Sequence, residues 1–228
     1  MKTSYILLAV IAFITLTGMV ATDVLLKQQY DKLDWSNPYQ SFEQRTLPVA
    51  KHVIIEGAPV AEIIVEKSTK RAQTLLLPSM ANSYKCRKSG DTLFVSYTMN
   101  YDGQSRDPHY DIDRTLPAGM ILRLPDLRSL RITNGRLTVN DFTTEQLVIS
   151  LQNSRLFTNK LAVSNAFSLT AGQNSFAVLG ADHYRTLAAV VNDSSGIKIV
   201  DSQVDAFKSQ LSPKAEIQLK GQSLKWLK

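Results

Sequence analysis

Thr133-Asn134-Gly135-Arg136-Leu137-Thr138-Val139, Gln152-Asn153-Ser154-Arg155-Leu156-Phe157-Thr158 and Gln173-Asn174-Ser175-Phe176-Ala177-Val178 are three copies of one phrase, a polar turn-forming cluster followed by an apolar alternating run. Asn192-Asp193-Ser194-Ser195-Gly196 and Ser212-Pro213-Lys214 open two more. An apolar residue follows each cluster at nearly constant phase: Leu137, Leu156, Phe176, Ile197 and Ile217, at steps of 19, 20, 21 and 20. Such a period marks units that cannot bury their apolar face alone and must stack on neighbours.

Within each unit the apolar residues alternate with period two. Leu147, Ile149 and Leu151 are separated by Val148 and Ser150, and Ile197 and Ile199 flank Lys198. Alternation over four to six residues is the strand signature. The Asn, Asp, Ser and Gly between runs supply turns, because they tolerate left-handed backbone or hydrogen-bond to their own chain. Helical repeats need roughly 33 residues or more, and the leucine-rich L-x-x-L-x-L-x-x-N pattern is not sustained here. The expected fold is therefore all-β, a single-stranded right-handed parallel β-helix of about 20 residues per coil, with a β-sandwich as the competing arrangement. Asn134, Asn153 and Asn174 have two readings, an internal amide ladder or surface turn residues chosen for left-handed backbone.

From Thr3 to Thr22 the chain carries no charge, and Lys2 and Asp23 flank the run. As a helix it spans about 30 Å, the thickness of bilayer hydrocarbon. Met19 and Ala21 make a poor cleavage site, and the run exceeds a signal-peptide core, so a retained signal-anchor is expected. The positive-inside bias places Lys2 in the cytoplasm and everything after Asp23 outside. The expected organisation is a cytoplasmic tail at 1–3, a transmembrane helix at 4–22, a juxtamembrane linker at 23–48 and an outer domain at 49–228. Tyr30, Trp35 and Tyr39 are placed either at the headgroup level or against the first unit of the outer domain. The bilayer is thus the first expected partner.

Irregular units precede the repeats. His52–Gly57 and Ala61–Glu66 read as strands around Gly57-Ala58-Pro59, Gln73–Pro78 as an apolar run, and Thr92–Tyr97 as a strand after the turn Ser89-Gly90-Asp91. The strand Ser89-Gly90-Asp91-Thr92-Leu93-Phe94-Val95 is followed by Ile121-Leu122-Arg123-Leu124-Pro125-Asp126-Leu127-Arg128-Ser129-Leu130, which opens the repeats. With the N-terminal anchor, this order resembles the auto-transporter adhesin head (GIN) domain family of Bacteroidetes-type envelope proteins, from about Val49 to the C-terminus. The resemblance implies a right-handed parallel β-helix outside the cytoplasmic membrane, with no catalytic residues to carry over. The chain keeps Gly135, Gly172 and Gly196 in its turns but has Asn153-Ser154 and Pro213-Lys214 where that family favours glycine.

The net charge of +6 is partly local. Lys67, Lys70, Arg71, Lys85, Arg87 and Lys88 fall within one stretch that holds no acid, and they form the candidate binding set. A basic patch suits an acidic glycan or anionic headgroup, and another envelope protein is the other partner considered. Aromatics and glycines are not interleaved with these cations as a nucleic-acid module requires, so no nucleic-acid partner is expected. Asp107-Pro108-His109-Tyr110-Asp111-Ile112-Asp113 gathers metal-ligand types, but its spacing fits no known loop and Arg106 and Arg114 flank it. Asp182-His183 and Glu62/Glu66 are the other acid–base candidates. Cys86, the sole cysteine, has no partner for an intrachain disulfide. No H-E-x-x-H, G-x-S-x-G or phosphate loop occurs. No catalytic residue, metal or cofactor is expected, and a carbohydrate-active enzyme is the alternative to an adhesin-like binding or scaffold module.

Overall fold

The computed structural model describes residues 2–34, 37–57, 61–97 and 116–227. The loop at 100–113, with its cluster Asp107–Asp113, lies outside the described residues, as do Trp35, Ser36 and the turn residues Ala58 and Pro59. The chain forms two compact units, up to Ser41 and from Phe42 onward.

The first unit holds one helix, α1 (Lys2–Tyr30). Its apolar side chains are exposed, among them Ile6, Leu8, Ile11, Phe13 and Leu16. Thr15, Thr17 and Thr22 each turn their hydroxyl back to the carbonyl four residues earlier, at 2.6–2.8 Å. These three hydroxyls are thus satisfied within the helix itself.

The described residues of the second unit form seventeen strands. They are β1 (Glu43–Thr46), β2 (His52–Gly57), β3 (Glu62–Lys67), β4 (Gln73–Leu76), β5 (Tyr84–Ser89), β6 (Thr92–Tyr97), β7 (Ala118–Leu124), β8 (Ser129–Thr133) and β9 (Arg136–Asn140), then β10 (Thr143–Gln152), β11 (Arg155–Asn159), β12 (Ala162–Gly172), β13 (Phe176–Leu179), β14 (His183–Val191), β15 (Gly196–Val200), β16 (Gln203–Leu211) and β17 (Glu216–Lys220). One sheet has nine strands in the order β1-β4-β7-β3-β9-β11-β13-β15-β17, and the other eight in the order β16-β14-β12-β10-β8-β2-β6-β5. A single continuous core lies between them, and both sheets supply it.

This corrects the expected architecture. The body is two mixed sheets, not a single-stranded right-handed parallel β-helix. β4 runs antiparallel to both β1 and β7, and β5 runs antiparallel to β6. The order of strands also departs from chain order, since β7 sits between β4 and β3, and β2 between β8 and β6. A single winding coil would stack every strand on the one a period before it. The first half lacks the 20-residue period, so its strands find partners by crossover instead.

Residues 129–220 keep the repeat as a parallel register. Leu137, Leu156, Ala177, Ile197 and Ile217 occupy one column, and Val139, Thr158, Leu179, Ile199 and Leu219 the next. The expected core residue Phe176 is one position out of this register. It pairs with Arg155 and Gly196 and is buried outside the main core cluster, while Ala177 takes the place in the column. Its ring fills the room that Gly196 leaves: a Cβ there would come within 2.8 Å of Phe176. A slip of one residue exchanges the two faces of a strand.

The turns repeat as closely as the strands. Asn134, Asn153 and Asn174 all have left-handed backbone, with φ of 54°, 45° and 61°. One amide rung also joins them, from Asn153 Nδ2 to Asn134 Oδ1 at 2.8 Å. Beside them runs a column of buried serines. Ser154 Oγ accepts from Gly135 N at 3.1 Å, Ser175 Oγ from Ser154 N at 3.1 Å, and Ser195 Oγ from Ser175 N at 3.0 Å. Ser154 and Ser175 donate their own protons to Gln152 O and Gly172 O, both at 2.6 Å. Ser154→Ala removes the acceptor of a buried N–H, and a cost of about 1–3 kcal/mol is expected. Leu156→Ala, in the fully buried column, should cost about 2–5 kcal/mol through its cavity. Urea midpoints of the second unit report both, and Phe176→Ala should cost less than Leu156→Ala in the same measurement.

Candidate functional site

Three adjacent strands of the nine-stranded sheet bring Gln73 of β4, Arg123 of β7 and Glu66 of β3 into one row. With Lys67, Ser68, Thr69, Lys70 and Arg71, which follow from the end of β3, they line a cleft of about 470 Å³. Glu66 holds Arg123 at 3.1 Å. Lys67 Nζ donates to Thr143 O at 2.9 Å and lies 4.9 Å from the centre of the Phe142 ring, so its stem is pinned across the sheet. Ser68 Oγ donates to Arg71 O and accepts from Lys70 N, which closes the turn that carries Lys70 and Arg71 into solvent. Four cations against one carboxylate give this cleft a positive charge balance.

Lys85, Arg87 and Lys88 are elsewhere. They lie on β5, the edge of the other sheet, and are exposed. The Arg87 guanidinium stacks over Phe94 at 4.0 Å. Lys85 and Arg87 line a second, smaller hollow with Ile54, Glu56, Cys86, Phe94 and Ser96. The six cations of the candidate set therefore divide between two sheets. Sequence gave no sign of Arg123, because only the insertion of β7 between β4 and β3 places it beside Lys70 and Arg71.

The carboxylates singled out in the sequence do not converge. Glu62 is buried against Arg136 at 3.4 Å and accepts from Thr138 Oγ1 at 2.7 Å. Asp182 points into the core, whereas His183 faces solvent. Its carboxylate accepts from Leu161 N at 2.8 Å, from the Tyr184 hydroxyl at 2.7 Å and from Thr158 Oγ1. The Tyr184 ring packs on Phe167, with centroids 4.9 Å apart. Burial raises the Asp182 pKa above its ordinary 3.8, against the pull of these hydrogen bonds. Burial and the adjacent carboxylate push the Tyr184 phenol up as well. Among the described residues, no group of three or more His, Cys, Asp or Glu side chains is placed to hold a metal ion.

No family model matches the chain, and no curated protein matches it. Solved structures share its outline more loosely. A candidate adhesin from Bacteroides fragilis covers 80% of this chain and 99% of its own at 12% identity, with a TM-score of 0.37. A candidate lipid-binding protein from Parabacteroides distasonis covers 80% and 95% at 11% identity and 0.33. A candidate cell adhesion protein from Clostridium sporogenes covers 78% and 99% at 7% identity and 0.32. These neighbours are adhesin-like or lipid-binding by name, and likeness at this level assigns no role to the chain.

The Asp182 cluster makes a test of its own. A carboxyl that binds its proton more tightly folded than unfolded stabilises the fold at low pH, and the contribution is lost as pH rises past the ordinary value near 3.8. Asp182→Asn keeps an acceptor for Leu161 N and cannot ionise. The gap in urea midpoint between variant and parent should therefore shift in the variant's favour as pH rises from about 3 to 7. A gap that stays constant over that range would show that folding leaves the proton affinity of Asp182 unchanged.

Proposed function

We propose that this chain is a single-pass, membrane-anchored binding module of the cell envelope, adhesin-like or scaffold in character and without catalytic turnover. In this reading residues 1–3 are a cytoplasmic tail, 4–22 cross the bilayer, 23–48 form the juxtamembrane linker and 49–228 lie outside as a member of the GIN domain family. One observation carries the anchoring: the helix Thr3–Tyr30 contains an 18-residue window with a mean hydropathy of 2.2, and its apolar side chains are exposed. Its uncharged run, in which Thr15, Thr17 and Thr22 satisfy their own hydroxyls, suits hydrocarbon. The residue pattern that resembles the GIN family supports the location of the outer unit.

For the ligand, the cleft of Lys67, Lys70, Arg71 and Arg123 favours an acidic glycan of the envelope. Its cations rest on strands and a closed turn, and its exposed members Lys70 and Arg71 are held by backbone contacts to Ser68 rather than by counter-charges. The interior is filled with side chains, so a ligand must be met on the outside.

Two experiments test these readings separately. Alkaline carbonate should leave the chain in the membrane with its N-terminus intact, whereas a soluble product that begins near Asp23 would overturn the anchor. Binding of the chain to an acidic polysaccharide should fall several-fold in Lys70→Ala/Arg71→Ala. It should also weaken steeply with salt, because screening acts within about 8 Å at physiological ionic strength. Lys85→Ala/Arg87→Ala/Lys88→Ala should leave it nearly unchanged. Loss in the second variant rather than the first would move the site to β5, and depolymerisation of the glycan would replace the binding reading with an enzymatic one.

A further inference from the structure

The two ends of the sheets are finished differently. At one end β5 and the β1–β4 pair run antiparallel, and the outermost strands carry charge, Lys85, Arg87 and Lys88 on β5 and Glu43 and Arg45 on β1. At the other end β17 and β16 finish the two sheets as parallel strands. Their predecessors in register, Ile197, Ile199, Leu187 and Val191, are fully buried. Their own equivalents are not: Ile217, Leu219 and Phe207 are half-buried, and Leu211 is 47% exposed. The 3-10 segment Gly221–Leu227 touches β15, β16 and β17 and buries Ser223, yet it leaves these four apolar residues partly open.

We infer that β17 pairs with β17 of a second copy, antiparallel and across a two-fold axis at Gln218, so that two outer units join end to end. The sequence of β17 is self-complementary in that register. Glu216-Ile217-Gln218-Leu219-Lys220 read against its own reverse sets Glu216 opposite Lys220, Ile217 opposite Leu219, and Gln218 opposite Gln218 of the other copy. The interface is isologous, as a two-fold axis requires: each contact occurs twice. Glu216, Gln218 and Lys220 are exposed on one face of the strand, and Ile217 and Leu219 alternate with them on the core side. Pairing therefore sets opposite charges together on the outside and extends the core column by one apolar pair. Among the described residues β17 bonds to β15 along one edge, and its other edge pairs with no strand. The charge pattern selects a second copy over an unrelated strand, because a foreign edge would have to reproduce both charges at this spacing.

The test uses the full chain in detergent, with light scattering to count protomers over a dilution series. The parent should be a dimer that dissociates on dilution. Glu216→Lys sets lysine opposite lysine, and Lys220→Glu sets glutamate opposite glutamate, so each should raise the dissociation constant ~10-fold or more. The double variant Glu216→Lys/Lys220→Glu restores two opposite-charge contacts and should dimerise like the parent, which also shows that the substitutions leave the fold intact. A parent that is monomeric throughout would overturn the inference. So would association that survives both single reversals, as contacts between α1 helices would, or a double variant no better than the singles.

Discussion

Where a chain leaves one sheet for the other, its backbone N–H groups lose their ladder partners, and each must find an acceptor in a place that water does not reach. In this protein the buried serine column answers that demand. Gly135, Ser154 and Ser175 each give their N–H to the serine hydroxyl of the next repeat, and the hydroxyls of Ser154 and Ser175 pass their own protons to carbonyls of the same turn. The spacing of the serines, Ser154 to Ser175 to Ser195, is the period of the fold. A turn longer or shorter by one residue would set a hydroxyl on the wrong level and strand a buried amide. The column ends at Ala215, which has no hydroxyl to offer, and there Ser195 N turns instead to Asn192 O at 3.1 Å.

That constraint explains which parts of the fold could be read from the chain. Asn134, Asn153 and Asn174 announce left-handed turns, and the alternation after each announces a strand, so the parallel half is legible residue by residue. The error at Phe176 came from preferring bulk to phase. Counted from the asparagine, Asn153 to Leu156 matches Asn174 to Ala177, and the turn chemistry outranks the size of the side chain. The first half has no such signal. That β7 inserts between β4 and β3 depends on long-range pairing with no local cue, whereas the fold-back of β5 on β6 is a hairpin signalled by Ser89-Gly90-Asp91. The mistaken single-coil architecture follows from extending the rule of the second half into the first.

The same division governs the candidate site. Lys67, Lys70 and Arg71 are neighbours in sequence and remain neighbours in space, because the turn at Ser68 closes on itself. Arg123 joins them only through the strand crossover. Lys85, Arg87 and Lys88 are as close in sequence to Arg71 as Arg71 is to Gly57, yet they belong to the other sheet. A run of like charges in a β protein marks a surface only as far as one strand or one turn extends. Beyond that, the topology decides which charges share a field.

Asp182 shows how the core itself fixes that topology. Phe142, Leu161 and Ser202 stand at the equivalent corners of the other repeats, and only this one carries a carboxylate. Its acceptors are filled from one level each: Thr158 and Leu161 from the repeat before, Tyr184 from its own strand. In the column of Thr158 the other members are Val139, Leu179, Ile199 and Leu219, none of which can donate. Shifting the stack by one repeat would leave the carboxyl buried against an aliphatic side chain, a cost of several hydrogen bonds with no compensating contact. Apolar columns alone would accept such a shift, since leucine and isoleucine pack on either neighbour. Burial raises the pKa of the carboxyl in the trio Thr158–Asp182–Tyr184, so its contribution to stability falls as pH rises. Its physical effect is to make one register the only one in which every buried polar atom of the trio is paired.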